Sequence, residues 1–262
     1  MAKKANKASG VKFNEYDKDQ RKVLLKNKKR KRLKKRVKIV LVVVIIALVI
    51  AFFVNPISKI KSFTFYGNHQ IKTSALEQAS APYKKSYFFA FSKKQYQEEL
   101  KSMPLVNKAR VSANVFGYVS VDIQEASIVA YGTIGKQTYI LDDAKHVFAL
   151  NDDYHIASLQ KYPKLQKFKS VEMMQAFLKE YLKLPDIIRS SVSDILYDPT
   201  KTEDKQVRFI MDNGKAIVVR YDEMADELSV KKFNYQAYVA AYSDYCTFTI
   251  RNDRVVYMTK CK

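Results

Sequence analysis

The stretch VNKARVSANVFGYVSVDIQE, residues 106–125, reads as two strands folded back on each other. Ala109, Val111, Ala113 and Val115 alternate with other residues, and Val119, Val121 and Ile123 alternate again, which is the period of a half-buried strand. Phe116-Gly117 between them makes a turn, so the pair is a hairpin. Upstream, Phe63 and Phe65 alternate with Ser62 and Thr64 in a strand that ends at the turn Gly67-Asn68. Ser74-x-x-Glu77 has capping-box spacing, and the helix it starts should stop at Pro82. Ser92-x-x-Gln95 opens a second helix, with Tyr96 and Leu100 on one face and Pro104 at its end. Residues 60–126 therefore follow the order β-α-α-β-β.

Further upstream lies an apolar run from Ile39 to Val54. With its flanks it extends over residues 37–57, about 30 Å as a helix, which is the thickness of a hydrocarbon core. A secretory signal is disfavoured because the charged region is long and Ala51-Phe52-Phe53-Val54-Asn55-Pro56 is too bulky for cleavage. Residues 1–36 hold sixteen Lys/Arg against three acids, whereas Lys59 and Lys61 stand alone after the run. This bias places the amino terminus in the cytoplasm and residues 58–262 outside, a single-pass type II arrangement. The tail lacks sustained apolar periodicity and is expected to be disordered. Its charge is accounted for by topology and by attraction to anionic inner-leaflet lipid. No aromatic interleaving accompanies it, so no nucleic acid is expected.

Downstream, Tyr139 to Asp142 and Val147 to Leu150 read as strands around a polar turn. A helix is predicted over Val171 to Lys183, with Val171, Met174, Phe177, Leu178, Tyr181 and Leu182 at helical spacing. Ser193 to Tyr197 is a strand, and Asp212-Asn213-Gly214 joins Val207–Met211 to Lys215–Arg220 in a hairpin. A helical stretch over Met224 to Tyr238 precedes two last strands, Thr247–Ile250 and Val255–Thr259. The exported part carries 29 Phe and Tyr, enough for a real core, so folding does not depend on its two cysteines. If the last strands turn near Asn252-Asp253, Cys246 and Cys261 lie almost opposite, close enough for a disulfide only in the correct register. A slip of one residue would leave two free thiols on opposite faces.

The segment with Phe65-Tyr66-Gly67-Asn68, two helices, Met103 to Val111 and Val119 to Glu125 resembles a POTRA domain, and more narrowly that of the FtsQ/DivIB family of bacterial cell-division proteins. Phe116-Gly117 replaces the Trp-Pro common in that family's hairpin turn, and Ala144-Lys145 stands where a glycine is typical. The resemblance implies an α+β protein in four parts: a basic cytoplasmic tail (1–36), a transmembrane helix (37–57), a POTRA domain (58–127) and an extracellular β domain (128–262). It also implies a divisome scaffold at the septum, without cofactor or metal, whose partners are FtsL and the FtsB/DivIC protein. Partner binding is expected on the closing strands, at Phe248, Ile250, Val255, Val256, Tyr257 and Met258, because Val255 to Met258 are apolar on both faces although a last strand often lies at a sheet edge. The alternative is that this strand is central and covered.

Catalytic constellations are weak. Ser102-Met103-Pro104 is similar to the Ser-Met of membrane signal peptidases, but no lysine base stands at the right spacing. Thr259-Lys260-Cys261 is similar to the strand end of sortases, yet only Lys262 follows where an arginine is needed. Cys246 has Arg251 and Arg254 after it and His155 well before, without a sortase-like strand leading into it. His69, His146 and His155 show no ligand spacing and read as solvated. The acidic pairs Asp142-Asp143, Asp152-Asp153 and Asp222-Glu223 read as turn and helix-start residues. A binding scaffold is the reading; an anchored extracytoplasmic enzyme, sortase-like or peptidase-like, is the alternative, and an anchored small-ligand sensor a further one.

Overall fold

The computed structural model describes residues 13–251 and 255–261. Its first helix, α1 (Phe13–Val54), differs from the expectation of a disordered tail. No Gly or Pro interrupts these residues, and Lys, Arg and Leu are good helix formers, so the helix continues back through the basic block. The part long and apolar enough to cross a membrane is Leu33–Phe53, which stops short of the expected end at residue 57. Pro56–Ser58 instead forms a tight 3₁₀ turn, in which the Ser58 hydroxyl donates to the Phe53 carbonyl over 2.8 Å.

Beyond Ser58 the chain forms a second compact unit. Strand β1 (Ser62–Tyr66) is followed by helices α2 (Thr73–Ser80) and α3 (Lys93–Lys101), then β2 (Val106–Ala113) and β3 (Tyr118–Glu125). The sheet order is β1-β3-β2, with β1 parallel to β3 and β2 antiparallel to it. Alternation places Val119, Val121 and Ile123 under the two helices, against Leu76, Tyr96 and Leu100. Ser92 caps α3 by accepting from the Gln95 amide at 3.3 Å. The capping box at Ser74 does not form: α2 starts at Thr73, and its first residues are held from outside the helix. The Asp153 carbonyl takes the Lys72 amide, and Asn68 donates to the Thr73 hydroxyl.

The rest builds nine strands: β4 (Ile128–Ile134), β5 (Gln137–Asp142), β6 (Val147–Ala149), β7 (Lys164–Gln166), β8 (Val192–Tyr197), β9 (Gln206–Met211), β10 (Ala216–Arg220), β11 (Tyr245–Ile250) and β12 (Val256–Lys260). They form one sheet in the order β12-β11-β10-β9-β8-β7-β4-β5-β6. Strands β7 and β8 are parallel and need a crossover, supplied by α4 (Val171–Tyr181) and α5 (Asp186–Arg189). Parallel β10 and β11 are likewise joined through α6 (Met224–Glu227) and α7 (Tyr235–Ala241). These last two were expected as one helix. Leu228 and Phe233 instead turn into the core, and Asn234 caps a new helix by accepting from the Ala237 amide.

The boundary at residues 127/128 separates two sheets, but the two cores do not divide there, since Ile128, Ile140 and Phe148 join the first core. Ile140 and Leu141, adjacent on β5 and both fully buried, point to opposite faces; Ile140 joins the core under β1–β3, Leu141 the core under α4. Polar bonds tie the same junction. Buried Asp142 accepts from the Leu105 amide at 3.0 Å and from the amide and Nδ1 of His146 at 2.8 and 2.9 Å. The Glu125 carboxylate gathers the amides of His69, Gln70 and Ile71. Asp142 does hold the expected turn, taking the Lys145 amide on its carbonyl. His146, however, is half-buried rather than solvated, and the bond from Asp142 raises its pKa above the usual imidazole value, while burial opposes this and the carboxylate charge assists.

Candidate partner-binding edge

Among the described residues, strand β12 pairs only with β11 and ends the sheet order, which leaves one side of its backbone as an edge. The six residues singled out from sequence do not act together there. Phe248 and Ile250 are buried in the core, with Phe248 ringed by Phe233, Tyr235 and Tyr238. Their side chains support the strand from behind. Val256 and Met258 are half-buried and pack against that core, whereas Val255 and Tyr257, 45% and 47% exposed, stand on the surface. Arg251 lies over the Tyr257 ring at 5.3 Å. The apolar look of both faces in sequence thus reflects one face on the core and one in the open. The turn near Asn252-Asp253 falls outside the described residues.

The far end of the hairpin is locked. Thr247 faces Thr259, so a regular ladder would set Cys246 opposite Lys260; a bulge instead pairs Lys260 with Tyr245. Cys246 and Cys261 are joined as a disulfide, Cα atoms 4.8 Å apart. Lys215 reinforces this end by donating to the carbonyls of Ser243 and Tyr245. On the helix side of the strand, Glu227, Lys231, Lys232, Phe233, Ile250 and Val256 line a shallow cavity of about 360 Å³. On the other side Arg220 bonds Glu203 and Asp222, and Lys205 also bonds Asp222. Burial pushes the Asp222 carboxyl up, but the two cations together hold it below the ordinary value.

The candidate catalytic groups are otherwise engaged. Both cysteine sulfurs are in the disulfide, and the Ser102 hydroxyl donates to the Glu99 carbonyl at the end of α3. Among the described residues no group of three or more His, Cys, Asp or Glu is placed to hold a metal. The chain has the build of a membrane-anchored protein with a three-stranded α+β module, a long mixed sheet and an open closing edge.

Residues 58–126 match the family description "POTRA domain, FtsQ-type". Cell division protein DivIB of Enterococcus faecalis is 27% identical over 186 residues, covering 70% of this chain and 49% of that protein. The DivIB of Listeria monocytogenes is 23% identical over 199 residues, 73% of this chain and 69% of that one. The DivIB of Bacillus subtilis is 20% identical over 182 residues, 69% and 68%. For the enterococcal relative the match spans about half of its length. Among solved structures, the major extracytoplasmic domain of the trans isomer of DivIB from Geobacillus stearothermophilus is 22% identical, with a TM-score of 0.35, covering 46% of this chain and 96% of that one. Residues 58–126 are thus an FtsQ-type POTRA domain, and over about 70% of its length the chain is similar to DivIB cell-division proteins.

Proposed function

We propose that this chain is a divisome scaffold: α1 anchors it, residues 58–262 lie outside the cell, and β12 accepts a strand from a partner during septal wall synthesis. The partners in this reading are FtsL and the FtsB/DivIC protein, with the basic tail held at anionic inner-leaflet lipid. The observation that carries it is the open edge of β12, a strand held in place by buried Phe248 and by the disulfide while Val255 and Tyr257 remain exposed. In strand addition, backbone hydrogen bonds supply affinity and side-chain positions supply selectivity, so an ordered edge with two exposed apolar side chains has both. The disulfide also fits an oxidising, extracytoplasmic location.

Two measurements test this. Protease added to wall-stripped cells should digest residues beyond 58 and spare an epitope placed before Lys22; the reverse pattern removes the topology. Affinity capture with the tagged full-length chain from dividing cells should enrich small single-pass division proteins. Capture that enriches none of them removes the scaffold reading.

A further inference from the structure

We propose a second surface: the end of the POTRA module beside Ser58 docks on the outer leaflet of the membrane and sets the orientation of everything after it. This rests on reading Leu33–Phe53 as a span, and not on the division role. The chain enters the module as a short extended segment, Lys59–Lys61, gripped from both sides. The Ile60 amide donates to Ser86 and the Lys85 amide returns to Ile60, while the Lys61 amide donates to Gly117. Gly117, at φ +84°, approaches so closely that a Cβ there would lie 1.9 Å from the Lys59 carbonyl oxygen. Two turns, near residues 84–90 and 114–118, therefore flank the segment by which the chain enters the module.

These turns carry three exposed aromatics, Phe89 at 62% and Phe116 and Tyr118 at 53% each, whereas Tyr66 stands alone at the other end of β1 at 56%. Val115 adds to the same tip at 43%. Apolar side chains gathered at one end of a globular module mark a contact surface. The charge decides which kind. Segments 59–61, 84–94 and 113–118 contain six lysines and no acid. Three of these lysines sit over aromatic rings, Lys59 over Tyr87, Lys61 over Tyr118 and Lys93 over Phe88, at 5.1, 5.5 and 5.8 Å. Amphipathic rings with ammonium groups beside them are the composition of a membrane–water interface, where rings sit at headgroup depth and cations meet anionic lipid.

The tether supplies the occupant. Four residues lie between Val54 and Lys59, five Cα–Cα steps, so the entry point stays within roughly 18 Å of Val54 even when fully extended. A surface held that close to a bilayer meets it at high effective concentration, and weak contacts suffice.

The chain contains no tryptophan, so single substitutions create unique probes. Phe116→Trp, Phe89→Trp and, as a control at the opposite end of β1, Tyr66→Trp are reconstituted as full chains in nanodiscs of phosphatidylcholine with phosphatidylglycerol, with and without brominated acyl chains. Near-ultraviolet circular dichroism confirms that each retains its fold. The Phe116→Trp and Phe89→Trp probes should be quenched about twofold and shifted to the blue, with Tyr66→Trp unchanged. Adding Lys84→Glu and Lys85→Glu should return the Phe116 probe towards the control value. Equal quenching at all three sites, or at none, overturns the docking surface. A chain extracted from vesicles by alkaline carbonate would instead show that the span reading has failed, and the docking proposal with it.

Discussion

Two of the molecule's edge strands, β2 and β12, contrast in character. Along β2, one edge of the POTRA sheet, α3 covers the backbone: the Gln97 amide donates to the Ala109 carbonyl over 2.6 Å, and Lys108 and Arg110 flank it as exposed charges. These are devices that keep an edge from recruiting a stranger. Along β12 no such side chain is aimed at the backbone among the described hydrogen bonds, and the exposed positions are the apolar Val255 and Tyr257, with Thr259 and Lys260 at the disulfide end. The first edge is guarded and the second is fixed in place but left open. That difference separates a strand that only completes a sheet from one suited to extend it.

The comparison breaks most readily at β12. Val256→Pro removes a backbone donor and distorts the ladder, so capture of the partner should fall at least about a hundredfold while residues 59–126 stay folded. Unchanged capture with a normally folded chain would move the site elsewhere, most plainly to the hairpin of residues 106–125. Removing the staple comes next. With Cys246 and Cys261 separated by 15 residues, replacing both by serine should destabilise the closing hairpin by about 3 kcal/mol. Hydrogen exchange at β11 and β12 should report it, with the amides of β2 and β3 unaffected; equal loss of protection in both sheets would mean that the disulfide holds the whole unit. Tyr257→Ala sharpens the picture. It should cost about 2 kcal/mol of partner affinity if the ring is an anchor and leave thermal stability nearly unchanged.

Opposite results are expected for β2. Gln97→Ala uncovers the Ala109 carbonyl and loses one hydrogen bond, about 1 kcal/mol of stability, without altering partner capture. Its diagnostic readout is self-association by sedimentation. If the variant stays monomeric at high concentration, the Gln97 bond is not what guards that edge.

What was legible in the sequence divides along similar lines. The β2–β3 hairpin and helix α4 each bury one face, so Val119, Val121 and Ile123 keep period 2, and Met174, Phe177, Leu178 and Tyr181 keep helical spacing. Strand β4 passed unnoticed because its two faces enter two cores, which turns Ile128 to Tyr131 into an unbroken apolar run. Strand β7 has three residues and no period to read. The break between α6 and α7 carries no Gly or Pro, and Leu228 and Phe233 continue an apolar pattern; Asn234 as a cap was the available signal. At Ser74 a local motif lost to contacts from Asp153 and Asn68, which no local pattern reveals. At the candidate edge, sequence could flag apolar strands but could not separate supporting Phe248 and Ile250 from exposed Val255 and Tyr257, because that depends on which neighbours the sheet order supplies.

The smallest expected effect lies between the two sheets, at Asp142 and His146. Asp142 holds the Leu105 amide from the POTRA side and the His146 ring from the β-domain side, so the protonation of His146 bears on how firmly the halves are joined. The Asp142 bond raises the His146 pKa above 6.5, so the protonated ring favours the folded state. Its contribution is complete below the unfolded-state value near 6.5 and is lost as pH rises through the higher folded value. Because the ring is partly solvated, the effect should stay below about 1 kcal/mol. Exchange of the Leu105 amide, corrected for intrinsic rate, should therefore accelerate modestly as pH rises past neutrality, and His146→Gln should remove that pH dependence. A slope that survives His146→Gln would assign it to another group, and protection that increases with pH would reverse the sign of the argument.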